Sequence, residues 1–163
     1  LRGEGKAGRG VKKWYVLCGL VLLIDRLSKA WAREWLLPVG SLPLLPGVAR
    51  FTFGRNTGAA FSIGAGSGWA IPLLSALLIL LALILHLRRG FPALARGGFL
   101  LIAAGGMSNL MDRLLYGYVV DFIELEFMSF ALFNLADVAV CTGAGLAFIG
   151  ILRKGQREDA VDR

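Results

Sequence analysis

Between Gly105 and Asp137 the chain reads GGMSNLMDRLLYGYVVDFIELEFMSFALFNLAD, and the polar residues in it are spaced for chemistry. Asn109, Asp112 and Arg113 stand at i, i+3 and i+4, a spacing that places them on one helix face. Asn134 and Asp137 repeat the i, i+3 device where the next apolar run begins. Asp121 stands alone among apolar neighbours in YVVDFI. Carboxylates inside or beside membrane-spanning segments are costly and mark functional sites by default. Neither Asp121 nor Asp137 has a basic residue within four positions. Two such desolvated carboxylates, if they approach each other, share one proton. One can then take a proton from water while the other protonates an amide carbonyl or a leaving nitrogen. Asn134, at i−3 of Asp137, is placed to hydrogen-bond the pair or a substrate backbone. The residues alone leave a second reading open, with a solvated loop aspartate at 121 and a helix N-terminal aspartate at 137, where negative charge is favoured.

Other constellations support this stretch. Asp25 and Lys29 are i, i+4 in the acidic-first order that stabilises a helix. They read either as a self-contained ion pair, with Lys29 snorkelling to headgroups, or as substrate-positioning groups. Asp112 and Arg113 read as charges that neutralise one another or neighbours and hold a helix in register. Arg55-Asn56-Thr57-Gly58-Ala59-Ala60-Phe61 is either a plain loop or a place where small residues permit close backbone approach.

The elements that must carry these groups are apolar. The chain has 163 residues, 56% of them hydrophobic, and a mean hydropathy of +0.67, values of a single polytopic membrane domain rather than a soluble one. The net charge of +7 does not form a basic stripe interleaved with aromatics, which argues against nucleic acid. Cys18 and Cys141 lie apart in apolar runs, and the single histidine, His86, ends a run beside Arg88 and Arg89 as an interfacial residue. No His-based triad or zinc site results, and no cofactor or metal is expected.

Four apolar runs follow one another, Trp14 to Trp35, Trp69 to Leu87, Gly97 to Leu115 and Phe133 to Leu152. The first carries charges past its middle and offers no small-residue cleavage site, so it is not a signal peptide. Between the first two runs, residues 48–53 alternate with β-branched and aromatic residues, which predicts a short strand or hairpin outside the bilayer. Lysine and arginine number five in the N-terminal tail, three in the 88–96 turn and four in the C-terminal tail, against two in 38–68 and none in 116–132. The positive-inside rule then gives four spanning helices with both termini cytoplasmic. The expected fold is an all-α membrane protein, four transmembrane helices with a small extracytoplasmic β element in the first outer loop. Residues 1–11 form a flexible cytoplasmic tail, 12–152 the four-helix domain and 153–163 a basic cytoplasmic tail. With a rise of about 1.5 Å per residue, Asp25 lies roughly 16 Å above Trp14, and every suspicious polar group falls at the outer leaflet. A proton-coupled carrier would instead place polar groups at the midplane or towards both faces.

Together these pieces resemble the lipoprotein signal peptidases, the bacterial type II signal peptidases, over about Lys12 to Leu152. The matching pieces are DRLSK (Asp25 to Lys29), RNTGAAF (Arg55 to Phe61), GGMSNLMDR (Gly105 to Arg113), VVDF (Val119 to Phe122) and FNLAD (Phe133 to Asp137). The resemblance implies an aspartic endopeptidase of the bacterial cytoplasmic membrane that removes the signal peptide from diacylglyceryl-modified prolipoproteins. It implies Asp121 and Asp137 as the catalytic pair. Asp25, Lys29, Asn56, Asn109, Asp112, Arg113 and Asn134 would bind substrate or support the site. Its partners would be lipid-modified prolipoproteins and membrane lipid, and the chain would act as a monomer.

Overall fold

The structure, a computed structural model, describes residues 4–58, 68–128 and 131–161. Four long helices carry it, α1 (Glu4–Trp31), α3 (Ala70–Leu87), α4 (Ala93–Tyr116) and α5 (Leu135–Val161), with a short α2 (Leu37–Val39) between the first two. Helix α1 thus starts at Glu4, inside the segment read as a tail. A π-helical turn, Ala32–Leu36, joins it to α2, and the Leu37 N–H reaches back to the Ala32 carbonyl. This turn buries Ala32 and Leu36 completely beneath the sheet. Pro38 and Gly40 (φ +81) then turn the chain into a strand, proline because it lacks an N–H and glycine because it tolerates positive φ.

The sheet has three antiparallel strands in the order β1 (Ser41–Leu45), β2 (Ala49–Asn56), β3 (Val119–Leu125). The expected β element is therefore present but is not confined to the first outer loop. Its third strand comes from the connector between α4 and α5, and Asp121 lies on it, not in a loop. The pattern that hid β3 is the absence of alternation, because Val119, Val120, Asp121 and Phe122 are all buried. A strand covered on both faces reads as a continuous apolar run. Val120 and Phe122 pack with Ala32, Leu36, Trp31 and Phe51, so the sheet sits on the end of α1.

Helix α4 is the centre of the bundle and packs on α1, α3 and α5. Its contact with α5 is made by small residues at close range. A Cβ on Gly98 would meet the Gly143 carbonyl, one on Gly143 the Gly98 carbonyl, and one on Gly105 the Ala136 carbonyl. Small residues are what let helix backbones approach this closely in lipid. Leucines cover the outside, with Leu73 61%, Leu77 55% and Leu80 55% exposed on α3, a surface too apolar for water. Ala70–Leu87 and Leu135–Gln156 have the length and composition of membrane spans, with mean hydropathies of 2.6 and 2.0. Helices α1 and α4, with 28 and 24 residues, are long enough but carry polar groups. His86, read as an interfacial residue, finds its partners within the protein. It is 3% exposed, its Nδ1–H donates to the Arg96 carbonyl at 2.8 Å, and its Nε2 lies 3.0 Å from the Tyr15 hydroxyl. A local sequence cannot show that Tyr15, 71 residues away, supplies this partner.

Candidate active site

The site lies where β3, the ends of α1 and α4 and the start of α5 meet. After β3 the chain reverses and pairs Phe133 with Ile123, each donating its N–H to the other's carbonyl at 3.1 and 2.9 Å. That pairing delivers Asn134 to Asp121. Asn134 is also the cap of α5. Its Oδ1 accepts the Asp137 N–H at 3.0 Å, while Asp137 Oδ2 accepts the Asn134 N–H at 3.1 Å. FNLAD is thus a reciprocal capping box built from asparagine and aspartate. The Asn134 amide completes the link by donating from Nδ2 to Asp121 Oδ1 at 2.7 Å. One fully buried asparagine therefore holds both carboxylates.

A second asparagine fixes the other side of each acid. Asn109 Nδ2 donates to Asp137 Oδ1 at 2.8 Å, and Asn56 Nδ2 donates to Asp121 Oδ2 at 3.0 Å. Both amides are oriented from behind. Asn109 Oδ1 accepts from Lys29 Nζ at 2.7 Å and from Asn134 Nδ2 at 3.2 Å, so its NH2 group must face Asp137. Asn56 Oδ1 accepts the Gly58 N–H at 3.0 Å, and Arg113 Nη2 donates to the Gly58 carbonyl at 2.7 Å. Arg113 thereby clamps the loop that presents Asn56.

Asp121 is 2% exposed and Asp137 is half-buried. Burial, and next the charge of Asp137, push the Asp121 carboxyl up to about 6, against the hydrogen bonds from Asn56 and Asn134 and the charge of Lys29. Desolvation dominates because the charged form loses more hydration than two amide donors return.

Beside this group lies a buried ionic one. Lys29, 1% exposed, places its Nζ 2.9 Å from Asp25 Oδ2 and 3.1 Å from Asp112 Oδ2. Its three N–H donors are thus used within the protein, and the expected snorkelling to headgroups does not occur. Asp112 also pairs with Arg26 and accepts the Val120 N–H at 3.2 Å. Asp112 does not pair with its neighbour Arg113; i, i+1 side chains diverge on a helix, and only Arg113 turns towards the two acids. Asp25 accepts from Ser108 Oγ at 2.6 Å and from the Ala136 N–H at 2.8 Å, so α1 caps the first turn of α5. All nine residues singled out in the sequence meet here, in two connected groups. Asn56, Asn109, Asn134, Arg113, Asp121 and Asp137 form the carboxylate–amide group, and Asp25, Lys29 and Asp112 the ionic one. Arg26 and Ser108 belong to the ionic group and had no assigned role, although both lie inside quoted motifs. Ala59, Ala60 and Phe61 of the RNTGAAF stretch lie outside the described residues.

Comparison with known proteins gives a consistent result. The model of the family described as signal peptidase (SPase) II matches residues 17–153. The lipoprotein signal peptidase of Syntrophomonas wolfei is 41% identical over 144 residues, covering 86% of this chain and 93% of that protein. The lipoprotein signal peptidase of Coxiella burnetii is 40% identical over 149 residues, covering 85% and 89%. A solved structure described as a bacterial membrane enzyme superposes with a TM-score of 0.81 at 23% identity, covering 90% of this chain and 92% of that one. A second, with the same description, gives 0.78 at 24% identity over 87% and 94%.

Proposed function

The chain belongs to the signal peptidase (SPase) II family, a group of membrane proteases of lipoprotein processing, and from that premise we propose that it cleaves prolipoproteins with Asp121 and Asp137 as one catalytic pair. The observation that carries this reading is the bridge through Asn134, which ties a strand carboxylate to a helix N-terminal one. The pair holds one proton, and in this reading it rests on Asp121, the more deeply buried of the two. A substrate covering the site removes more water and pushes the same way.

Water enters between the two acids. Asp137, its oxygens aligned by Asn109 and by the Asn134 N–H, takes one water proton, and the hydroxyl oxygen bonds to the scissile carbonyl carbon. Asp121 gives its proton to the carbonyl oxygen, producing a neutral tetrahedral diol. The C–N bond then breaks. The proton held by Asp137 goes to the leaving nitrogen, a diol proton returns to Asp121, and the products are a carboxylic acid and an amine. The asparagines and Arg113 set the geometry, so little reorganisation is left for the reaction itself.

Four helices span the membrane in this reading, with both termini cytoplasmic and the site at the outer face. The acyl chains of a diacylglyceryl-modified cysteine, held in the bilayer beside the bundle, would keep the scissile bond at that depth. The test is cleavage of a diacylglyceryl-modified prolipoprotein by the purified chain in detergent with chelator present. Wild type should cleave it, unmodified precursor should be a poor substrate, and Asp121→Asn or Asp137→Asn should each abolish turnover. Near-normal turnover in either variant would end the assignment.

A further inference from the structure

Charge matching at the outer end of the molecule leaves two guanidinium groups over. Arg26 and Lys29 pair with Asp25 and Asp112, Arg50 pairs with Glu126, and Arg113 feels the charges of Asp121 and Asp137. Arg33 and Arg55 have no carboxylate within 4.0 Å among the described residues. Residues 59–67 and 129–130, which lie outside them, contain no acidic residue. Glu34 follows Arg33 directly, and side chains at i and i+1 point apart.

Both arginines stack on tyrosine instead. Arg33 Cζ lies 3.7 Å from the Tyr116 ring centroid and Arg55 Cζ 5.2 Å from that of Tyr118, and the two rings are 6.1 Å apart. Gly117, at φ +78, ends α4 by donating its N–H to the Arg113 carbonyl at 3.0 Å. This left-handed turn, open to glycine at little cost, brings the rings on either side of it together. The result is a column of guanidinium, ring, ring and guanidinium. A guanidinium lying on a ring keeps its edge N–H donors free, and their fork matches the oxygens of a phosphate. Leu114, Leu115 and Trp35, 56%, 63% and 66% exposed, border the column with apolar surface. Tyrosine and arginine at such a border meet the headgroup layer of a bilayer.

We propose that the Arg33–Tyr116–Tyr118–Arg55 column binds the phosphodiesters of anionic phospholipids in the outer leaflet, one at each guanidinium. The proposal rests on the membrane placement given above and not on the aspartate chemistry. Wild type and Arg33→Gln/Arg55→Gln are reconstituted in phosphatidylcholine vesicles containing phosphatidylglycerol. Selectivity is read from the motionally restricted fraction of spin-labelled phosphatidylglycerol against that of spin-labelled phosphatidylcholine. Wild type should prefer phosphatidylglycerol, and each guanidinium lost should lower the preference at its site about five-fold. Arg55→Gln alone, an exposed change on a strand, should lose its share and guards against misfolding of the double variant. Prolipoprotein cleavage in detergent should persist in both variants, which separates failure of this site from failure of the proteolytic reading. Inorganic phosphate in excess should leave the wild-type preference in place; displacement of the lipid by it would overturn the lipid assignment in favour of free phosphate. A wild type without the preference, or variants that keep it in full, would overturn the proposal.

Discussion

Asp121, the proposed catalytic acid, is destabilising where it stands. Its acid is raised, so the sign runs against the folded protein at high pH. Above about 6 the buried charge costs stability; as pH falls from about 6 to about 4 the native carboxyl is protonated and that cost disappears. The shift corresponds to about 3 kcal/mol at most. Asp121→Asn should therefore raise the unfolding temperature in detergent at pH 8 and leave it nearly unchanged near pH 4, while abolishing cleavage. In kcat/KM the active form needs one proton on the pair. The alkaline limb should fall with an apparent pKa at or above about 6, and the acid limb should follow protonation of the second carboxylate, both belonging to the pair. Asp121→Asn/Asp137→Asn should cost little more than either change alone, because groups acting as a unit are not additive. Lys29→Met acts differently. It leaves Asp25, Asp112 and the Asn109 carbonyl without their shared donor, a loss of about 3–5 kcal/mol for a broken buried pair, to be read as a lowered yield of folded protein and a lowered unfolding temperature. Asp112→Asn should likewise reduce folded protein more than it reduces turnover per folded molecule.

Among the elements, the α4–α5 crossing decides whether the two acids meet. Asn109 on α4 reaches Asp137 on α5 because Gly98, Gly105 and Gly143 allow the backbones to touch. Gly105→Leu would push the first turn of α5, at Ala136, away from α4. Cleavage per folded molecule should fall at least tenfold, measured on samples matched for membrane level. Gly145, on the same helix with nothing within 4 Å of an added Cβ, is the contrast. Gly145→Ala should be active and more stable by about 1 kcal/mol, the helix propensity difference. Strand β3 has the complementary task. It pairs Asp121 with Gly54 and Ile123 with the returning chain at Phe133, which keeps the acid 2% exposed.

At the scale of the whole molecule, the proposed direction of insertion rests on the apolar wall, the two connectors poor in lysine and arginine and the clustered polar groups. A single cysteine at Pro43, exposed on β1, in a Cys18→Ala/Cys141→Ala background should react with a membrane-impermeant thiol reagent in intact cells. A cysteine at Gln156 should react only after the cells are opened. The reverse pattern would invert the molecule and remove the case for an outward-facing site. The ionic cluster of Asp25, Arg26, Lys29 and Asp112 ties α1 to α4 and α5 beside the carboxylate pair.

The sequence by itself determined the membrane class, the approximate positions of the long helices and nine polar residues that the structure brings together. Those follow from local facts, namely continuous apolar runs, the distribution of basic residues and polar groups where lipid should forbid them. It also carried the family, through five short motifs in order. Only the tertiary structure decided which group faces which. Lys29 binds an asparagine 80 residues away, and Asp112 passes over its neighbour Arg113 for Arg26, 86 residues away. His86 finds Tyr15 across the bundle. Strand β3 was hidden for a related reason, since a strand buried on both faces loses the alternation that would announce it. Helical spacing tells which residues share a face, but the partner of that face is set by how the helices cross, and here that depends on glycines whose neighbours lie on other elements.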